Sequence, residues 1–559
     1  MELDRRTFLK GAVGATGGLL LPACNRDQRQ PFDTGRAAPA DQRITLRIAG
    51  GPFGFPSPFA YVGGPGYVRL SFIYDTLLWT DASGELLPWL ASRYERSADG
   101  LTYTFELRDA RWHDGQPVTP ADVAFTFEYF DRQVLSPLIV ARPDGVARVT
   151  PTGERTVEIQ LERPMVTFLR QMAGGVPIIP RHIWSGVSDP VKAQDPQLLV
   201  GSGPYRLESH SPEQGSYLFV ANDDFFLGPP FVQRIEMVPV EDELRALLAG
   251  DIDGGFAPFD GAGPNALAPF RNNPSFEVIE QEAGLAFPLY WDLDPAGPFA
   301  DKRVRQAIAH AIDRNDIVRR LFGGNATPGN PGFLPPTHNF HVEVEQYPFD
   351  LDTANRLLDE AGYSRGEGGV RRRPGGEPLR FGLTIGVTVP PALIDLIVAS
   401  LRQVGLEIEA NAVDLVRMFE SKLSGAYDMI VTLYPGPSVP APGGDPDYLR
   451  RIYASQATGF HTAGGYRNPR VDELASRQAV TLDENERRRM ITELQQLVAN
   501  DLPVLPLYYS TFFFAYHKER FDQWYFTPGG GMGPGIPLVY NKHAFVTGQR
   551  TGVEVRTAA

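Results

Sequence analysis

Between two Asp-Gly turns, Asp99-Gly100 and Asp114-Gly115, the sequence alternates with a period of two. Tyr103, Phe105 and Leu107 are apolar, while Thr102, Thr104, Glu106 and Arg108 are polar. That period is the signature of a half-buried strand. Just past the second turn, Thr119-Pro120-Ala121-Asp122 has the order of a helix start. Thr119 can cap, Pro120 suits the first helical position because its missing N–H would be unpaired there anyway, and Asp122 can return a bond to the cap. Val123, Phe127 and Phe130 then fall on one helical stripe. A hairpin feeding directly into a capped amphipathic helix requires a mixed layer of sheet and helix.

The same mixture recurs later. Pro391 to Ala410 and Asp414 to Leu433 each read as helix, glycine stop and strand, so this half is α/β. A helix from about Asp352 ends at Gly362, and Glu243 to Ala249 forms a short one. Asp301 caps another, whose buried stripe is Val304, Ala307, Ile308, Ala311 and Ile312, with Arg303, Arg305 and Arg314 outside. Val471 to Ala475 and Asp483 to Asn500 make a final helical pair, with Ile491, Leu494, Leu497 and Val498 facing inward. The stretch GGVRRRPGGEPLRFGLTI reads as a hairpin that leaves Arg371 to Arg373 on an exposed turn. At 559 residues the chain is too long for one ordinary domain, and its 42% hydrophobic content excludes general disorder.

The first 42 residues follow a different logic. Arg5-Arg6-Thr7-Phe8-Leu9-Lys10, followed by the modestly apolar run Gly11 to Ala23, resembles a twin-arginine export signal, although Asp4 stands where a Ser or Thr is usual. The run is too short for a membrane span of about 20 residues. Leu21-Pro22-Ala23-Cys24 resembles a lipobox, and Cys24 is the only cysteine, so no intrachain disulfide can form. Acylation there would anchor the mature protein, with Asn25 to Gln42 as a polar tether. The net charge of −14 argues against a nucleic-acid surface.

The stretch DGLTYTFELRDARWHDGQPVTPADVAFTFEY is similar to the signature region of the solute-binding proteins of ABC importers, the large family that captures oligopeptides, dipeptides, nickel complexes and other solutes. SFIYDTLLWTDASGELLPWLASRYE and GDIDGGFAP extend the resemblance. It implies an α/β, periplasmic binding protein type II-like fold: two lobes, an additional inserted domain and a central ligand cleft. Residues 43–68, 200–285 and 505–559 would form a discontinuous domain I, residues 69–199 the inserted domain II, and residues 286–504 domain III. In that family the loop after the first strand faces the cleft, which makes Phe53 and Phe55 candidates. Trp291 and Asp292 stand in the place of the family's aromatic-Asn pair. LYPGPSVPAPGGDPDYLRRIY matches the stretch that holds a peptide's ammonium group and contributes Tyr434, Asp445, Asp447 and Tyr448. The acid usual before the Asp-Pro pair is missing here. Either Asp445 takes that role or the ligand lacks a free ammonium group, as an opine or a sugar would.

No HExxH, G-x-S-x-G, lysine-bearing P-loop or dinucleotide motif occurs. Gly201-Ser202-Gly203-Pro204 lacks the lysine a phosphate loop needs. His338 and His341 have a ligand spacing but no third partner nearby, and read as solvated side chains. The expectation is a monomeric, lipid-anchored receptor outside the cytoplasmic membrane, with no cofactor, no metal and no catalysis, which hands a small solute to an ABC permease. An exported enzyme, or a sensor or scaffold on the same fold, is the alternative.

Overall fold

A computed structural model describes residues 44–61, 63–133, 145–211, 213–257, 266–386, 389–435, 445–526 and 539–552. The export signal, Cys24 and the tether lie outside these residues.

A 12-stranded sheet runs through the molecule. Its path is Glu407–Val413, Arg380–Gly386, Met429–Val431, Phe276–Trp291, Val504–His517, Gly254–Phe256, Ile44–Ala49, Val232–Val238, Ser216–Ala221 and Tyr205–Ser211. The two long central strands, Phe276–Trp291 and Val504–His517, are antiparallel and serve both ends of the sheet. One half of the pairing runs from Phe276 opposite His517 to Gln281 opposite Phe512, the other from Leu285 opposite Ser510 to Tyr290 opposite Val504. The register shifts between Gln281 and Leu285. On the first side of that shift hang the parallel strands Ile44–Ala49, Val232–Val238 and Gly254–Phe256, and on the other the parallel strands Arg380–Gly386, Glu407–Val413 and Met429–Val431. The fold is therefore α/β with two lobes joined by a pair of crossing strands.

A separate four-stranded antiparallel sheet, Ala91–Arg96, Thr102–Leu107, Thr156–Leu161 and Val146–Pro151 in spatial order, forms the additional unit. Tyr103, Phe105 and Leu107 point into its core, as their alternation requires. The helix Pro120–Arg132 covers them, and the Asp122 carboxylate secures its start. One oxygen accepts from the Thr119 backbone N–H at 2.8 Å and from its hydroxyl at 2.7 Å, and the other accepts from the Arg181 N–H at 2.9 Å.

Three arginines expected outside are buried instead. Arg305 places its Nε 3.1 Å from the carbonyls of both Asp501 and Leu502, at the end of the helix Glu484–Asp501. Arg371 donates to the Val404 carbonyl at 2.8 Å, just past the helix Pro391–Gln403, and pairs with Asp359 at 2.6 Å. Arg314 donates to the carbonyls of Gly329 and Tyr347. Helix ends and loops leave carbonyls without intrahelical partners, and a guanidinium with five donors can serve several at once. A hydropathy pattern assigns such a residue to the surface because it sees only the charge.

Candidate functional site

The strand directions place the site. Met429–Val431 runs antiparallel to the first crossing strand, so its carboxyl end points back toward the register shift, and Tyr434 pairs there with Ala286. Gly254–Phe256 runs antiparallel to the second crossing strand, so its carboxyl end points toward the same shift from the other lobe. The strands parallel to each follow suit. Two sets of strands thus present their carboxyl ends to a common crevice, which is where open α/β sheets bind ligands.

The first lobe's edge carries the loop after Ile44–Ala49 and the start of the helix Glu243–Ala249. Phe53 is half-buried there, whereas Phe55 is buried and packs edge-on against His210 at 5.4 Å between ring centres. Behind Phe53, the Arg69 guanidinium lies 4.2 Å from the Phe53 ring centre and 5.2 Å from that of Tyr217. Burial pushes the Arg69 pKa down to about 10. It pushes the nearby Glu243 carboxyl up to about 7, although Oε2 accepts the Phe256 N–H at 2.7 Å.

The second lobe's edge carries Asp445, Asp447 and Tyr448. The Asp445 carboxylate receives both Nη atoms of Arg487, at 2.6 and 2.8 Å. Asp447 is buried and accepts from Arg450 at 2.7 and 2.8 Å and from the Gln478 amide at 2.7 Å. Burial works against its charge, but the Arg450 bonds hold the carboxyl below its usual range. Gln478 also accepts from Arg487, so the two acids and two arginines form one network. Both carboxylates are engaged by arginines of this network. Tyr434 occupies the strand next to Ala286, with Asp445 beyond residues 436–444, which lie outside the described residues.

Trp291 and Asp292 are not brought to this edge. Trp291 pairs with Met429 at the opposite end of its neighbour strand, five residues beyond Ala286 and so about 17 Å along the strand. Its indole is buried, packs on Phe299 and donates to the Leu502 carbonyl at 3.0 Å. Asp292 caps a turn by accepting the Asp294 N–H at 3.1 Å. His338 is buried rather than solvated. Its Nδ1 accepts the Phe340 N–H at 3.1 Å, and burial pushes its pKa down to about 4. Among the described residues no group of three acids, histidines or cysteines is placed to hold a metal.

The segment that follows the additional sheet also touches the second lobe directly. The Val166 N–H donates to the Ala479 carbonyl at 3.1 Å, and Arg451 donates to the Gln171 side chain at 2.8 Å.

Residues 85–459 match the family model described as bacterial extracellular solute-binding proteins, family 5 middle. The chain belongs to this family. A Brucella ovis protein named as an ABC transporter peptide-binding protein is 28% identical over 65% of this chain and 68% of its own length. The heme-binding protein A of Haemophilus influenzae is 25% identical over 89% of this chain and 93% of its own. The crystal structure of NikA from Brucella suis in complex with Fe(III)-EDTA superposes with a TM-score of 0.73 at 21% identity, covering 88% of this chain and 98% of that one. This solute-binding protein thus shares its architecture with proteins of very different ligands.

Arg69, Glu243 and Arg487 escape a motif search. Arg69 does leave a trace, since it is a lone charge inside the run Tyr67-Val68-Arg69-Leu70-Ser71-Phe72-Ile73. A helix apolar all round is buried, and so is any cation on it.

Proposed function

We propose that this protein is the receptor of an ABC importer, exported, held by lipid on Cys24 at the outer face of the cytoplasmic membrane, and monomeric. Residues 1–24 serve as signal and 25–42 as tether. Domain I comprises 43–68, 200–285 and 505–559, domain II 69–199 and domain III 286–504. A small organic solute enters the crevice, the lobes close on it about the crossing strands, and the permease receives it. The observation that carries this reading is the pair of opposed carboxyl edges around the register shift between Gln281 and Leu285, a geometry in which bending at residues 282–284 would move the lobes without disturbing the ladder on either side of it.

The ligand is a solute whose hold does not depend on an ammonium group, because Arg487 already neutralises Asp445. Peptides remain in the class, as do opines and metal chelates, given the range of ligands named for the relatives.

A thermal-shift screen of the chain from Asn25 onward against peptides, opines, sugars and metal chelates tests the reading. A ligand at a hundred times its dissociation constant adds about 2.7 kcal/mol to stability. Stabilisation by one class, with a smaller radius of gyration in X-ray scattering, supports a closing receptor. Chemical turnover of the stabilising solute would assign the protein to the exported enzymes instead.

A further inference from the structure

The additional unit is fixed to the first lobe. The helix Gly63–Ile73 packs on that lobe through Phe72, whose ring centre is 5.3 Å from that of Phe219, and the Tyr67 hydroxyl on the same helix donates to the Gly175 carbonyl at 3.0 Å. The Ile178 N–H donates to the Asp75 carbonyl at 2.8 Å, and Arg170 donates to that of Gly84 at 3.0 Å. Phe168 closes over the four-stranded sheet, with its ring centre 4.4 Å from that of Tyr103. The segment Phe168–Ala173 is thereby tied to the sheet on one side and to the first lobe on the other.

From there the chain reaches the second lobe away from the crossing strands. The Val166 N–H meets the Ala479 carbonyl at 3.1 Å, and Arg451 meets the Gln171 side chain at 2.8 Å. Gly100, in the turn between the strands Ala91–Arg96 and Thr102–Leu107, has a φ of 70°, and a Cβ there would stand 2.5 Å from the Leu482 Cδ1. The leucine thus lies over a turn that has no side chain to hold it off. Ala479 and Leu482 belong to the connection between the helices Pro469–Gln478 and Glu484–Asp501. On the second lobe the gripped positions adjoin the acid–arginine network: Ala479 follows Gln478, Arg451 follows Arg450, and the Asp445 carboxylate bears on Arg170 across the boundary. We propose that the additional unit is a clasp, which holds the connection 479–482 and Arg451 while the lobes are together and releases them when the lobes part. The inference rests on the receptor reading, in which the lobes move about residues 282–284. A contact made in only one of two states favours that state by its own free energy, whatever the ligand. The clasp therefore strengthens the hold on every solute that needs the closed form by one common factor, and leaves the choice among solutes to the crevice.

The test is hydrogen exchange at the Val166 amide in the chain from Asn25 onward, with no solute added, because exchange registers even rare openings. Arg451→Ala and Leu482→Ser remove different contacts, yet each should speed Val166 exchange roughly two- to tenfold, since all the contacts part in one motion. The two together should speed it by roughly the product. Gln171→Glu, which sets a carboxylate opposite the Arg451 guanidinium, should slow it. The amides of Thr102–Leu107, inside the four-stranded sheet, should keep their wild-type rates in every variant and so separate release of the clasp from unfolding of the unit. Val166 exchange at the wild-type rate in Arg451→Ala or in Leu482→Ser overturns the clasp, as does acceleration that the sheet amides share. Either result leaves the receptor reading to the solute screen, where one stabilising class keeps it and silence from every class removes it.

Discussion

The ammonium of Lys542 lies 2.8 Å from a carboxylate oxygen of Asp75, 467 residues earlier in the chain, and both side chains are completely buried. Trp89 donates its indole N–H to the same Asp75 oxygen at 2.8 Å, Ser202 donates to the other at 3.0 Å, and Lys542 rests 4.2 Å above the Trp79 ring centre. The pair fastens the helix Lys542–Thr547 to the segment just after the helix Gly63–Ile73. Removing one partner strands a buried charge, so Asp75→Leu or Lys542→Met alone is expected to cost about 3–5 kcal/mol. The double variant should lose less than the sum of the two. Urea unfolding of the four proteins measures this, and strict additivity would disprove the coupling.

Stability should also fall on mild acidification. His113 donates from Nε2 to the Gly203 carbonyl at 3.0 Å, and burial pushes its pKa down to about 4. In the unfolded chain the imidazole takes a proton near pH 6.5, so between 6.5 and 4 the unfolded state binds more protons than the folded one. The stabilisation is complete above pH 6.5 and is lost as the pH falls, by roughly 3 kcal/mol for this one residue. Unfolding curves at pH 7.5 and 5 should show a smaller difference for His113→Gln than for wild type.

At Gly201, just before the strand Tyr205–Ser211, an alanine Cβ would stand 1.9 Å from the Ile73 carbonyl oxygen. Backbone cannot move aside as a side chain can. Gly201→Ala should therefore destabilise the protein by about 2–5 kcal/mol. A melting temperature equal to that of wild type would show that the helix ending at Ile73 shifts freely.

Beside the Val166–Ala479 backbone bond, Arg451 ties the second lobe to Gln171 through one exposed side-chain hydrogen bond. Such a bond contributes about 0.5–1.5 kcal/mol, so Gln171→Ala should weaken ligand binding two- to tenfold through faster release. Stopped-flow kinetics would separate that from a slower association rate, which the contact does not predict.

The parts of this fold that were legible in the sequence are those governed by neighbours in the chain. The Pro120 helix starts where its cap demands, Asp301 and Asp483 cap the helices read from them, and Gly405 and Gly425 take positive φ at the two stops. Arg305, Arg314 and Arg371 misled the pattern because their partners are carbonyls 5 to 197 residues away. The site was harder still. Trp291 is aromatic and near a lobe boundary, but only the strand register shows that it sits at the wrong end of its strand. Asp445 reads as an anchor from its place beside Pro446, whereas its partner Arg487, 42 residues later, lies beyond the reach of a local motif.

The crossing strands enter and leave the second lobe side by side, with Leu289 opposite Leu505. A lobe whose two ends are already hydrogen-bonded to each other is a cassette. It can be exchanged between relatives with two joints, both inside one ladder, and the receiving lobe meets the same pair of strands whatever the new one recognises. Ligand range can then change by substitution of a whole wall, while Ile44–Ala49 and Lys542–Thr547 keep their places in the lobe that stays.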